Sequence, residues 1–309
     1  MTTRCAIGVA PAVPVLAVVL ACLGPARAAA QTAPQPAPNV SWARDGAITV
    51  AAAAGAGLAR LIPVDTTAVW TRQLLPVDRG LEGRLSVSAS DQSDVIAAVD
   101  VVVPAALLVG QEGALDGTSG RRLLVYGETL AVSLLLNNAT KYLVGRPRPY
   151  VYSDDPRVRA YAERAGKDSR LSFYSGHAST TFAASVAGSY LLAQAATDAH
   201  ARAAVWGFEI ALASCATRLR TRAGKHFYSD VLVGLVVGSA VGYAVPRLHG
   251  GPSYRPSGTE WAAIGLAPVV GVAVAQLLPA RPDVLEPLGT VALPYLVPGG
   301  GGVMLARAF

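Results

Sequence analysis

Charge and cysteine are scarce in this chain. Only 15% of its 309 residues are Asp, Glu, Lys or Arg, against roughly a quarter in an average soluble domain. With 52% hydrophobic residues, such a chain buries its helices in one large core, a membrane, or both. The three cysteines are Cys5, Cys22 and Cys215. Two of them lie in an N-terminal apolar stretch, so removing that stretch leaves one thiol and no internal disulfide. The four histidines fall into no zinc-type Cys/His spacing, and no acidic cluster suits Mg²⁺. No metal or other cofactor is therefore expected. The formal charge of +6 forms neither an aromatic-interleaved patch nor a helix-long stripe, which argues against nucleic acid as a partner. No internal repeat is visible.

What is present begins with Arg4, an apolar run from Ala6 to Leu23, the breaker Gly24-Pro25 and the small-residue segment Ala26-Arg27-Ala28. This is the pattern of a cleavable export signal over 1–28, with a retained membrane anchor as the alternative. Val19-Leu20-Ala21-Cys22 resembles a lipoprotein box only loosely, because Leu20 sits where smaller residues are usual. A Pro/Ala-rich linker is expected over 29–44 and a helical domain over 45–250. Apolar segments of helical composition run over 93–110, 122–140, 178–196, 203–219, 231–248 and 259–278, most of them near the ~20 residues that cross a bilayer. Asp100, Glu128, Asn137, Asn138 and Glu209 interrupt them and should face helix neighbours or a cavity. The expected fold is all-α: a membrane-embedded bundle of about five to six core helices, with a soluble helical bundle as the alternative. Ala47–Ala59 is too short and too rich in Ala and Gly to read as a span. Residues 251–309 read as a C-terminal helix followed by a Pro/Gly-rich extension with short strands.

Three short segments carry chemistry. They are Lys141-Tyr-Leu-Val-Gly-Arg-Pro-Arg148-Pro149, Ser172-Phe-Tyr-Ser175-Gly176-His177 and Arg220-Thr-Arg-Ala-Gly-Lys-His226-Phe-Tyr-Ser-Asp230. Lys141 brings a point charge; Arg148 and Arg220 bring planar forks of donors, and these are the usual ways to hold phosphate. Ser175 and Gly176 open an apolar helix, whose free N–H groups bind anions. His226 precedes Asp230 by four residues, near enough for the carboxylate to orient the ring. Taken singly, an Arg-Pro is usually a helix stop, a Ser-Gly-His a cap, and a His four residues before an Asp a local pair. Their order changes that reading. Each segment ends or begins an apolar helix, and an even number of spans separates them, so all three fall on one face. Between Lys141 and Arg170, eight Lys/Arg meet four Asp/Glu, a balance that suits an anionic ligand. His200 and His249 read as ordinary loop residues.

The segments resemble the three-part signature of the type 2 phosphatidic acid phosphatase and vanadium haloperoxidase superfamily, K-x6-R-P, P-S-G-H and S-R-x5-H-x3-D, over about residues 93–250. The resemblance implies that Lys141, Arg148 and Arg220 bind phosphate and that Ser175 and Gly176 donate to its oxygens. It implies too that His177 protonates the leaving group, that His226 attacks phosphorus and that Asp230 orients His226. Tyr174 stands where the family has proline, and Leu219 where it has serine; neither lost side chain is needed for that chemistry. Arg146-Pro147 is a second Arg-Pro, but only Arg148 has the spacing from Lys141.

The implied activity is metal-independent hydrolysis of a lipid phosphomonoester or diphosphate through a phosphohistidine. Phosphatidate, phosphatidylglycerol phosphate, undecaprenyl diphosphate and lipid A phosphate stay open as substrates. Three alternatives remain: a soluble secreted acid phosphatase of the same superfamily, a vanadate-dependent haloperoxidase, and a membrane binding protein without activity. Expected partners are the lipid phosphate and the membrane; the oligomeric state is open. The expected location is a bacterial-type inner membrane with the site facing the periplasm: with the leader cleaved and 47–62 not crossing, Arg121, Arg122, Arg202, Arg247 and Arg255 lie inside. If 47–62 does cross, the site moves to the cytoplasm.

Overall fold

A computed structural model describes residues 37–66, 73–112, 117–194, 198–250, 254–279, 291–297 and 300–306. The expected leader, 1–28, lies outside the described residues. Helix α1 spans Trp42–Leu58, α2 Val87–Glu112, α3 Gly117–Val144, α4 Pro156–Ala165, α5 Gly176–Ala193, α6 Ala199–Arg222, α7 Tyr228–Leu248 and α8 Gly258–Leu277. Their starts follow local chemistry. Ser41, Asp155, Ser175, Asp198 and Ser257 each cap a helix through a side-chain oxygen that accepts a backbone N–H. In α8, Glu260 answers Ser257 in a capping box. Because Ser41 already caps α1, the linker expected over 29–44 gives way to helix at Trp42.

Helix α5 is the axis of the bundle. Fourteen of its eighteen residues are buried, so it has no face left for lipid or water. Helices α2, α3, α6 and α7 pack around it, α8 lies on α6, and α1 lies on α3. The α5–α7 contact depends on Gly234, Gly238 and Gly242, spaced by one turn. A Cβ on Gly238 would stand 2.2 Å from the Ser179 carbonyl oxygen, and one on Gly234 2.6 Å from that of Ser175. Absent side chains thus let the two backbones touch, which is how small residues join membrane helices.

Among the described residues, three helices, Val87–Gly110, Tyr228–Leu248 and Gly258–Leu277, are long and apolar enough to cross a membrane. The outer faces of α7 and α8 expose Leu232, Val236, Tyr243, Trp261, Leu266, Val269 and Val270. An apolar surface of that extent suits lipid better than water. The other expected spans are helices too: α5 is enclosed by its neighbours, and α3 buries Arg122, Glu128 and Asn137 while exposing Leu134, Leu136 and Leu143. The polar residues inside the helices do face neighbours. Ser185 Oγ of α5 donates to Asp100 of α2 (2.9 Å), and Asn138 Nδ2 of α3 donates to the Ala56 carbonyl of α1 (2.8 Å).

Helix α1 runs from one end of the bundle to the other: Asn39 N donates to the His249 carbonyl beyond the end of α7, whereas Ala56 sits beside Asn138, near the Lys141 end of α3. One expectation needs correction. His249, expected in a loop, is buried, and its Nε2 stands 3.3 Å from Glu128 and 3.7 Å from Asp45. After α8, the extension forms two antiparallel strands, β1 (Val291–Val297) and β2 (Gly300–Ala306), with Val291 opposite Ala306.

Candidate active site

All three segments gather at one end of the bundle, as the helix count requires. Lys141 lies in the last turn of α3, Ser175 and Gly176 at the start of α5, Arg220 in the last turn of α6, and His226 just before α7. Gly176 is needed for space: a Cβ there would stand 2.8 Å from Asn137 Oδ1 and 3.3 Å from Lys141 Nζ. Asn137 Nδ2 donates to the Tyr174 carbonyl (2.9 Å) and so ties the loop before α5 to α3. Ser175 closes the other side, its N–H bonded to the Asp230 carbonyl (3.0 Å).

His226 is 1% exposed. Its Nδ1 donates to the Ser172 carbonyl at 2.8 Å, since a carbonyl only accepts. Nε2 is thereby the basic nitrogen. Burial, then the charges of Arg148, Lys141 and Arg220, hold the ring well below the ordinary histidine pKa, so it is neutral at pH 7. Asp230 orients it at one remove. The carboxylate stands 4.0 Å from Nδ1 and accepts instead from Arg146 (2.6 Å), Ser172 Oγ (2.6 Å) and its own helix's Phe227 N–H (2.8 Å). Asp230 therefore fixes the Ser172 loop, whose carbonyl then fixes the imidazole. Arg146 spans Asp230 and Asp78, and Asp78 also holds Ser229. The second Arg-Pro is thus part of the framework.

The cations are buried. Arg148 is 4% exposed and Arg220 5%. Arg148 donates to the Asp168 carboxylate (2.7 Å) and to the Asp168 and Lys225 carbonyls. Arg220 donates to Ser90 and Asp94, each at 3.1 Å, and its Nε has no hydrogen-bond partner among the described residues. A buried guanidinium donor without a partner points to an anion. Burial, reinforced by Arg148 and Arg220, lowers Lys141 to about 7. Lys225 is lowered to about 8 by burial and Arg148, and it donates to the Tyr161 hydroxyl at 2.5 Å.

His177 is 28% exposed at the mouth of the site, and its Nε2 donates to Asp94 at 2.6 Å. Burial and then Arg220 lower it to about 4, with Asp94 pulling the other way. A phosphate dianion beside Arg220 offsets that depression and returns the ring toward protonation.

The sequence did not reveal Asp94, Asp168, Asp78, Ser172 or Lys225 as members of the site. Ser172 and Lys225 lie within the quoted segments, and only their backbone carbonyls and hydroxyl expose their roles. Asp94 and Asp168 carry no local signal, because their cationic partners are distant in sequence.

Residues 122–252 match the family model of the PAP2 superfamily. This is the superfamily that the three segments resemble. Neither the curated proteins nor the solved structures include a match to the chain.

Proposed function

We propose that the chain, whose residues 122–252 match the PAP2 superfamily, is a metal-independent phosphatase acting through a phosphohistidine on His226. The observation that carries this reading is the neutral, buried His226 imidazole. Its Nδ1 is held by Ser172, which leaves Nε2 to attack, and Lys141, Arg148 and Arg220 all act on the ring electrostatically. In the first step Nε2 bonds to phosphorus, the P–O bond to the leaving group breaks, and His177 gives its proton to the departing oxygen. In the second step water passes a proton to His177 and its oxygen takes the phosphoryl group, releasing phosphate and restoring Nε2. The three cations neutralise the charge spread over the equatorial oxygens, together with the free N–H groups at the start of α5.

The substrate we propose is a lipid phosphomonoester or diphosphate. The support is the outer apolar surface of α7 and α8, which suits contact with lipid. Beside Lys141, a cleft of about 380 Å³ lined by Arg60, Lys167 and Asp168 among others has room and charge for a second anionic group. Purified protein should release phosphate from a panel of lipid phosphates in EDTA, with competitive inhibition by vanadate. Complete loss in EDTA, restored by Mg²⁺, would sink this reading.

Lys141 supplies a pH signature. A lysine lowered to about 7 is cationic below that pH and loses its charge as pH rises through it. The free enzyme then loses affinity for phosphate, so kcat/KM should fall above about pH 7. Bound phosphate restores the charge, and kcat should change less. Lys141→Arg, charged throughout, should move the falling limb upward. An unchanged profile in that variant would remove Lys141 from phosphate binding.

We place the site on the cytoplasmic side of the cell-envelope membrane. An exported, cleaved leader leaves residue 41 outside, and α1 then carries the chain to the other end of the bundle, where the site is. Arg157, Arg159, Arg164 and Lys167 lie at that same end and Arg121, Arg122, Arg202 and Arg247 at the other, so loop charge alone does not choose between the two sides. A cysteine reporter belongs at exposed Glu163 rather than Gly166, whose φ of +52° disfavours a side chain. Native Cys215 is buried and gives little background. Glu163→Cys should react with an impermeant thiol reagent only after inner-membrane lysis; labelling in cells with merely a permeable outer membrane would restore a periplasmic site.

A further inference from the structure

At the far end of the bundle three metal-binding side chains from three helices converge. Asp45 comes from the first turn of α1, Glu128 from α3 and His249 from the residue after α7, and one ligand atom of each lies within 4.8 Å of the other two. Glu128 lies thirteen residues before Lys141 on the same helix, about 20 Å along it. The cluster is therefore separate from the phosphate site. Its members are enclosed: the side chains of Asp45, Glu128 and His249 are 1%, 8% and 6% exposed.

The tautomer of His249 is set by its surroundings. Nδ1 donates to the Val245 carbonyl at 2.9 Å. In a neutral ring Nε2 then presents a lone pair, and it faces Glu128 Oε2 at 3.3 Å and Asp45 Oδ2 at 3.7 Å. Glu128 Oε2 is buried and has no hydrogen-bond partner among the described residues. An imidazolium–carboxylate pair closes to about 2.7–2.9 Å, shorter than either separation. Ligands held tetrahedrally by a first-row metal at about 2.0–2.1 Å stand about 3.4 Å from one another, a spacing the two observed distances bracket. The outer supports of such a site are also present. Val245 fixes the imidazole, and Ser41 N–H (2.7 Å) and Arg44 (2.7 Å) fix the Asp45 carboxylate. Arg44 is 66% exposed, so solvent screens its repulsion of a cation.

We propose that Asp45, Glu128 and His249 bind one divalent transition-metal cation of the zinc class, with water completing the coordination. The ion clamps the start of α1 to α3 and to the end of α7, and so ties the first helix to the bundle. Its role is structural, and the phosphatase chemistry proceeds without it.

The test uses the full chain, purified in detergent, stripped with EDTA and exchanged into chelator-free buffer. Titration with CoCl₂ should give visible ligand-field bands that saturate at one equivalent and are displaced by ZnCl₂. Either metal should raise the thermal midpoint, while the rate on p-nitrophenyl phosphate at low temperature stays the same with and without metal. His249→Ala should lose both the bands and the stabilisation, and Glu128→Gln should weaken Co²⁺ binding at least tenfold, both keeping the basal rate as evidence of folding. His249→Cys should retain Co²⁺ and add a thiolate-to-cobalt charge-transfer band, which identifies the ligand even if the alanine variant does not fold. Absence of bands and of a thermal shift in the wild-type protein would overturn the proposal. Bands that are the same in all three variants would overturn it too, by putting the metal elsewhere.

Discussion

His226→Ala should lower phosphate release by roughly 10⁴-fold or more on every substrate, whatever the leaving group, because the first covalent step loses its nucleophile. The uniformity is the informative part. Loss of a proton donor spares good leaving groups; loss of the attacking atom spares none. His226 is buried and makes one side-chain hydrogen bond, to the Ser172 carbonyl, so its removal also leaves a cavity and an unpaired acceptor. A thermal midpoint measured beside the rate separates the two effects: a folded protein with no activity supports the role, and an unfolded one requires His226→Gln as the replacement. Rapid quench with ³²P-labelled substrate should trap an acid-labile, base-stable phosphoenzyme in the wild type and none in His226→Ala. Detection of that species in the variant would assign the nucleophile to another residue.

The catalytic segments were legible because each carries its signal locally. Ser175-Gly176 reads as a helix start, and Lys141 and Arg148 read as one phosphate grip with fixed spacing. The bundle was legible from apolar segment length, and the common face from the number of helices between motifs. The close contact at Gly234, Gly238 and Gly242 was not anticipated, although a glycine at every fourth residue of an apolar run permits a close helix partner. Other features were set by packing across the chain. Asp94 meets Arg220 and His177 only because α2 lies against α5 and α6. The four-residue spacing of His226 and Asp230 suggested a direct bond, yet the Ser172 loop passes close enough to put its carbonyl on Nδ1 first. His249 looked like a loop residue because it follows α7, and its burial depends on α1, whose packing along α3 the short Ala/Gly-rich sequence concealed. Local chemistry was readable, then, wherever both partners lay within a helical turn or one motif, and hidden wherever two helices had to meet.

The roles of the two histidines separate by leaving group. His177→Ala should lower the rate on an alkyl phosphate by roughly 10²–10⁴-fold, the usual contribution of a positioned acid. On p-nitrophenyl phosphate the first step should be far less affected, because a good leaving group departs with little protonation. Asp94 sharpens the expectation. Its 2.6 Å bond to His177 Nε2 favours the imidazolium, against burial and Arg220, which hold the ring at about 4 before phosphate arrives. Asp94→Asn keeps the shape and removes the charge, so it should impair alkyl phosphates more than p-nitrophenyl phosphate, in the same sense as His177→Ala but more weakly. The second step provides a further check. Water attacking the phosphohistidine needs a base, and in His177→Ala that base is missing, so labelled phosphoenzyme should accumulate during turnover of p-nitrophenyl phosphate. Equal loss on both leaving groups, with no accumulated intermediate, would show that His177 serves the structure or the binding of phosphate rather than proton transfer.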